Sequence, residues 1–235
     1  MLYAHPMLAP PPLLVFDLDG TLADTAPDLI AALNRVLREE GLPQVPMETA
    51  RDMVGFGGRA LLQRGFAADG RSIEPARLER LFDRFLAHYE AHIADATHLY
   101  PGVVEALDAF GSAGWRFAVC TNKLEHTAIQ LLTVLGIAGR FAAICGQNTF
   151  AAPKPDARAL TGTIERAGGV VARTIMVGDS KTDIAAARAA GVPVIAVDFG
   201  YTDQPIATYA PDRIIGHFSE LQDAVATLEA AGQDA

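Results

Sequence analysis

Five short apolar runs, at residues 13–16, 117–120, 142–145, 174–177 and 194–197, each end in a turn or a polar residue. Runs of about four apolar residues without alternation mark strands covered on both faces. Most are separated by stretches with apolar residues at helical spacing, including 103–110, 128–135 and 184–190. A strand, a crossover helix and a further strand is the connection a parallel sheet requires. The chain is therefore expected to form a doubly wound parallel α/β sheet, in which ligands bind at the carboxyl ends of the strands. With 235 residues, half of them hydrophobic and 20% charged, it can bury a substantial core throughout.

One interval breaks the rhythm. Between about 26 and 98 only helical periodicity is found: Leu29, Leu33, Val36 and Leu37 form one stripe, closed by Gly41 and Pro43, and Leu78, Leu81, Phe82, Phe85 and Tyr89 form another. The expected division is a core made of 1–25 and 99–235, with a helical cap, 26–98, inserted after the first strand. Such a cap would lie over the active end of the sheet. The segment Val54-Gly55-Phe56-Gly57-Gly58-Arg59 falls inside it. Without a strand before it, this is no dinucleotide fingerprint.

Composition removes several classes of function. A net charge of -9 disfavours nucleic acid as a partner. No stretch approaches the ~20 apolar residues of a membrane helix. The amino-terminal segment has no basic start and runs into Pro10, Pro11 and Pro12, so it makes a poor signal peptide. A cytoplasmic location is expected. Cys120 and Cys145 lie in strand-like runs and are expected to be buried, reduced thiols. His88 and His92 have a metal-compatible helical spacing but no third ligand nearby, which favours an ordinary helix surface. Trp115, ahead of a strand, reads as packing.

Chemistry concentrates at the strand ends. Asp17-Leu18-Asp19-Gly20-Thr21-Leu22 follows the first run, and where the strand breaks into a glycine-containing loop both acids can converge on one site. One carboxylate could then attack phosphorus while the other handles protons. Alone, such a pair could equally be a turn. Thr121 and Asn122 end the second run, and their hydroxyl and amide can donate to phosphate oxygens. Thr121 could instead be a plain strand residue or a helix cap. Lys154, between Pro153 and Pro155, offers a positive charge in a stiffened loop, and Asp179 and Asp183 follow the run at 174–177. Hard oxygen ligands of this kind suit Mg2+ rather than zinc. Asp183 also precedes an apolar helix and could be its N-cap. For Asn122 and Lys123, substrate contact and a plain surface role are equally open. Arg59 could clamp a substrate carboxylate or be a solvated first-turn arginine.

Taken in order, the four segments resemble the haloacid dehalogenase superfamily, whose phosphatases carry an acidic DxDGT loop, a later Thr or Ser, a Lys and a GDxxxD-type motif. The likeness covers about 14–228. It implies a Rossmann-like core with a cap, and a Mg2+-dependent phosphomonoesterase acting on a small phosphorylated metabolite through an aspartyl-phosphate. By resemblance Asp17 is the nucleophile, Asp19 the general acid and base, and Lys154 the catalytic cation. Asp17, the backbone carbonyl of Asp19, and Asp179 would hold the metal, with Asp183 in support. Loop amides near Gly20 and Thr21, together with Thr121, Asn122 and Arg59, would bind substrate. The motifs DLDGTLADT from Asp17 to Thr25, the Val54-Gly55-Phe56-Gly57 loop, Tyr100-Pro101-Gly102 and Thr121-Asn122-Lys123 are most similar to the phosphoglycolate phosphatase branch. Relatives with the same cap act on other sugar phosphates, nucleotides or pyrophosphate, and a phosphomutase would share the core. A phosphate-binding regulatory module without turnover is the alternative from another class. A monomer or homodimer is expected.

Overall fold

The computed structural model describes residues 10–233. The segment before Pro10, judged above as a poor signal peptide, lies outside them. β1 (Leu13–Phe16) leads through β2 (Ala23–Asp24) into α1 (Ala26–Glu39), α2 (Met47–Ala50), α3 (Gly58–Ala67) and α4 (Pro75–Ala91). β3 (His98–Leu99) returns the chain to α5 (Val103–Ser112), β4 (Arg116–Cys120), α6 (Glu125–Val134), β5 (Ala143–Cys145) and α7 (Ala157–Arg166). Then come β6 (Thr174–Gly178), α8 (Lys181–Ala190), β7 (Val194–Val197), β8 (Arg213–Ile215) and α9 (Leu221–Gln233).

Six strands form one sheet in the order β5-β4-β1-β6-β7-β8, and every neighbouring pair is parallel. β1 sits inside it, with Phe16 opposite Val119 on one side and Val177 on the other. Side-chain alternation sorts the apolar runs onto two faces. Leu14, Phe16, Val119 and Val177 join the cluster that includes the inserted helices, α5 and α9, whereas Leu13, Val15, Cys120 and Cys145 pack with Leu160 and Ile184 on the other face. Both cysteines are buried free thiols. Trp115 meets Phe110 edge-on at 5.3 Å. No described helix is long and apolar enough to cross a membrane.

All five expected strands form, with ends shifted by a residue at most. β8 was not foreseen, because Arg213-Ile214-Ile215 is too short to show a pattern and takes its register from β7. The antiparallel pair of β2 with β3 was also missed. Two residues per strand carry no periodicity, and only the meeting of distant segments defines them. α8 begins at Lys181, earlier than its apolar stripe, because Ser180 and Asp183 form a reciprocal capping box.

Both stripes of the insert become helix faces. Leu29, Leu33, Val36 and Leu37 are buried on α1, which ends just before Gly41 at φ 70°, while Leu78, Leu81, Phe82, Phe85 and Tyr89 are buried on α4. Asp28, in the first turn of α1, accepts from the Ala96 and Thr97 amides and the Thr97 hydroxyl. The chain leaving the insert is thus tied to the helix that enters it. Leu33 is fully buried and lies against Gly65, where a Cβ would come within 2.7 Å of it. Leu33→Ala should therefore cost about 2–5 kcal/mol of stability, read as a lower urea midpoint.

Candidate active site

β1, β4 and β6 end at the same rim of the sheet, and each is followed at once by a functional residue: Asp17, Thr121 and Asp179. Lys154, from the loop between β5 and α7, reaches the same point. Its ammonium lies 3.0 Å from Asp17 Oδ1 and 2.5 Å from Asp183 Oδ1, and all three side chains are buried. Asp17, Asp179 and Asp183 each offer a carboxylate oxygen within 4.8 Å of the others. The donor set is all oxygen, which fits a hard divalent cation.

The surroundings fix each carboxylate. Asp179 accepts from the Thr21 hydroxyl at 2.9 Å and from the Tyr201 amide at 2.6 Å. A Cβ on Gly20, which has φ 82°, would fall 2.3 Å from Asp179 Oδ2. Only glycine allows this approach. Asp183 is the third residue of α8 and not its N-cap, which is Ser180. With one oxygen on Lys154 and the other accepting from the Ser180 amide and hydroxyl, Asp183 braces the lysine.

Asp19 lies outside this cluster. Its carboxylate accepts from the Thr25 hydroxyl at 2.7 Å and from Lys123 Nζ at 2.8 and 3.0 Å. Lys123, left open between substrate and surface in the sequence, is buried, and its ammonium sits 4.8 Å from the centre of the Tyr89 ring on α4. A small chamber of about 40 Å3 opens on this side, between insert and core. Asp19, Lys123 and Gln147 contribute from the core, and Gly57, Phe82 and Tyr89 from the insert.

Two expectations need correction. Gly20 and Thr21 do not present loop amides outward: their N–H groups donate to Ala23 O and Leu18 O inside the turn, and the Thr21 hydroxyl is committed to Asp179. Arg59 does not line the chamber. Its guanidinium forms a bidentate pair with Glu79 and lies over the Phe82 ring. Thr121 is no helix cap, since Leu124 holds that place before α6. Instead its Oγ1 accepts from the Lys123 amide, which leaves the hydroxyl proton free to donate. Asn122 gives one N–H to the Lys154 carbonyl. His92 pairs with Asp95, in keeping with an ordinary surface role. Thr25 was read only as the end of the DLDGTLADT motif and Tyr89 only as a member of an apolar stripe, and Tyr201 was not singled out because no polar motif surrounds it.

Charge crowding shows in the protonation equilibria. Burial raises the Asp17 carboxyl to about 7; Lys154 opposes this, while Asp183 and Asp19 add to it. Burial and the other two acids likewise push Asp179 well up. Lys154 stays charged, since Asp17 and Asp183 outweigh the desolvation that would lower it.

The sequence and the fold are both similar to those of known proteins. The chain matches the haloacid dehalogenase-like hydrolase family over residues 14–197. It is 50% identical over 210 residues to a phosphoglycolate phosphatase of Mesorhizobium japonicum, covering 89% of this chain and 92% of that protein. A phosphoglycolate phosphatase of Caulobacter vibrioides is 45% identical, with 92% and 91% covered. A crystal structure of a predicted phosphoglycolate phosphatase from Haemophilus somnus superposes with a TM-score of 0.85 at 30% identity, covering 92% and 98%. The chain belongs to the haloacid dehalogenase-like hydrolases. Within them it is a phosphatase.

The raised Asp17 value has a testable consequence. In metal-free protein the folded state holds this proton up to about pH 7, while the unfolded chain releases it near 3.8, so stability falls as pH rises through that window. Asp17→Asn cannot ionise. Measured in EDTA, its melting temperature should gain on that of the wild type between pH 5 and pH 8, and an unchanged difference would contradict the assignment.

Proposed function

We propose that this chain is a Mg2+-dependent phosphomonoester hydrolase that converts 2-phosphoglycolate to glycolate and phosphate through an aspartyl-phosphate. The observation that carries the reading is the division of labour between the first two acids. Asp17 lies with Lys154 and the carboxylate cluster, while Asp19 faces the chamber where a leaving group would sit. The named relatives support the substrate.

Asp17 attacks phosphorus, and the bond from phosphorus to the glycolate oxygen breaks as Asp19 passes its proton to that oxygen. In the second step Asp19 takes a proton from water. The resulting hydroxide oxygen bonds to phosphorus, and the bond between phosphorus and Asp17 breaks, which returns both acids to their starting states. Lys154 Nζ and the free Thr121 hydroxyl proton stabilise phosphoryl oxygens throughout. Asp17, Asp179 and the Asp19 backbone carbonyl would hold Mg2+, with Asp183 steadying Lys154; when bound, the ion supplies positive charge against three carboxylates and a phosphate dianion. Residues 26–98 act as the cap, and their closure keeps bulk water from the reaction.

Phosphate release from 2-phosphoglycolate should exceed that from glucose 6-phosphate, AMP or pyrophosphate. Asp17→Asn should lower kcat by about a thousandfold or more while circular dichroism stays native. EDTA should stop turnover and Mg2+ restore it. Retained activity in the variant would remove Asp17 as nucleophile.

A further inference from the structure

Tyr89 is 1% exposed and lines the chamber, and its hydroxyl has no partner at full hydrogen-bond geometry, only the Lys123 ammonium beside it. Buried phenols ordinarily have one, and leaving one unpaired is costly. Two of the ammonium's three donors face Asp19 Oδ1 and Oδ2, and the third is turned toward Tyr89 on the chamber side.

α3 begins at the same place. Its N-cap is Gly57, no side chain caps its first amides, and Gly57 and Gly58 both line the chamber. At Gly57, where φ is 85°, a Cβ would lie 3.2 Å from the Asn122 carbonyl oxygen and 3.3 Å from Gln147 Oε1, so the helix start is held tightly against the core loops. A helix N-terminus, an ammonium and an under-bonded phenol therefore border one small space, and each favours an anion or an acceptor.

Apart from Asp19, which is paired with Lys123, and from Thr127 and Gln147, the remaining walls are apolar, among them Leu29, Leu61, Phe82, Phe85 and Leu86. A sugar ring would set several hydroxyls against these side chains, whereas a two-carbon acid carries no hydroxyl beyond the reacting oxygen.

We propose that the Tyr89 hydroxyl, Lys123 Nζ and the N-terminus of α3 form a carboxylate receptor that selects leaving groups carrying an anion next to the reacting carbon. This deepens the phosphatase reading and rests on Asp17 as the phosphoryl acceptor. It gives the recognition of the acid group to Lys123 and a cap tyrosine, in place of Arg59.

The test uses Tyr89→Phe in the full chain. Because the hydroxyl has no partner at full hydrogen-bond geometry, folding stability should stay close to that of the wild type. Titrated calorimetrically, glycolate should bind the wild type and ethylene glycol should not. Tyr89→Phe should weaken glycolate about tenfold, and should lower the ratio of kcat/KM for 2-phosphoglycolate to that for 2-hydroxyethyl phosphate by a similar factor. Equal glycolate affinity in both proteins, or equal binding of ethylene glycol by the wild type, overturns the receptor. Hydrolysis of 2-phosphoglycolate with glycolate binding indifferent to Tyr89 defeats this inference and leaves the proposed function standing. Tyr89-dependent glycolate binding without any phosphate release does the reverse.

Discussion

A buried lysine between two buried aspartates organises this molecule. Removing Lys154 from water is expensive, and Asp17 and Asp183 repay that cost only if both stay within bonding distance. The requirement joins three segments that are far apart in sequence: the end of β1, the loop before α7, and the first turn of α8. Asn122 adds a fourth by holding the Lys154 carbonyl, and Ser180 fixes Asp183 through the capping box. The site's electrostatics and the local fold are in this sense one set of contacts. Losing the lysine charge would leave Asp17 and Asp183 facing each other without a counter-ion.

A single turn gives two neighbouring carboxylates different surroundings. Asp17 meets Lys154 and the other acids, whereas Asp19 meets Lys123 and Thr25. Leu18, fully buried between them, is held by the hydrophobic cluster. Each acid therefore has its own lysine, one brought by the loop after β5 and one by the loop after β4. The separation suits two roles that must not be exchanged, a nucleophile on one side of the phosphoryl group and a proton carrier on the other.

Much of this was legible in the residues. The apolar runs located five of six sheet strands, the acidic loop, Thr121 and Asp179 lay at strand ends as expected, and Lys154 lay in a loop. Such features are local: a strand covered on both faces must be apolar, and a turn must have turn residues. What escaped was set by tertiary encounter. Lys123 looked like an even choice between surface and site, because nothing in Thr121-Asn122-Lys123 shows that Asp19 will be opposite. Arg59 stayed open between a clamp and a solvated arginine because Glu79, its partner, lies twenty residues on and belongs to another helix. Tyr89 was one more apolar position in a stripe, and only its depth and lack of a full hydrogen bond mark the hydroxyl.

The short ribbon of β2 with β3 carries both passages of the chain between sheet and helices, with Ala23 opposite Leu99 and Asp24 opposite His98. The helical unit is thus joined to the sheet covalently along one edge, and away from that edge it meets α6 through Glu90, which pairs with His126 and takes an N–H from Gln130 on its backbone carbonyl. Asp24 lies on the ribbon and bonds both the Tyr201 hydroxyl and Arg51. Tyr201 in turn holds Asp179 through its amide. The ribbon and the carboxylate cluster are consequently bridged by one residue, Tyr201, whose hydroxyl serves the entry to the helices and whose amide serves the cluster.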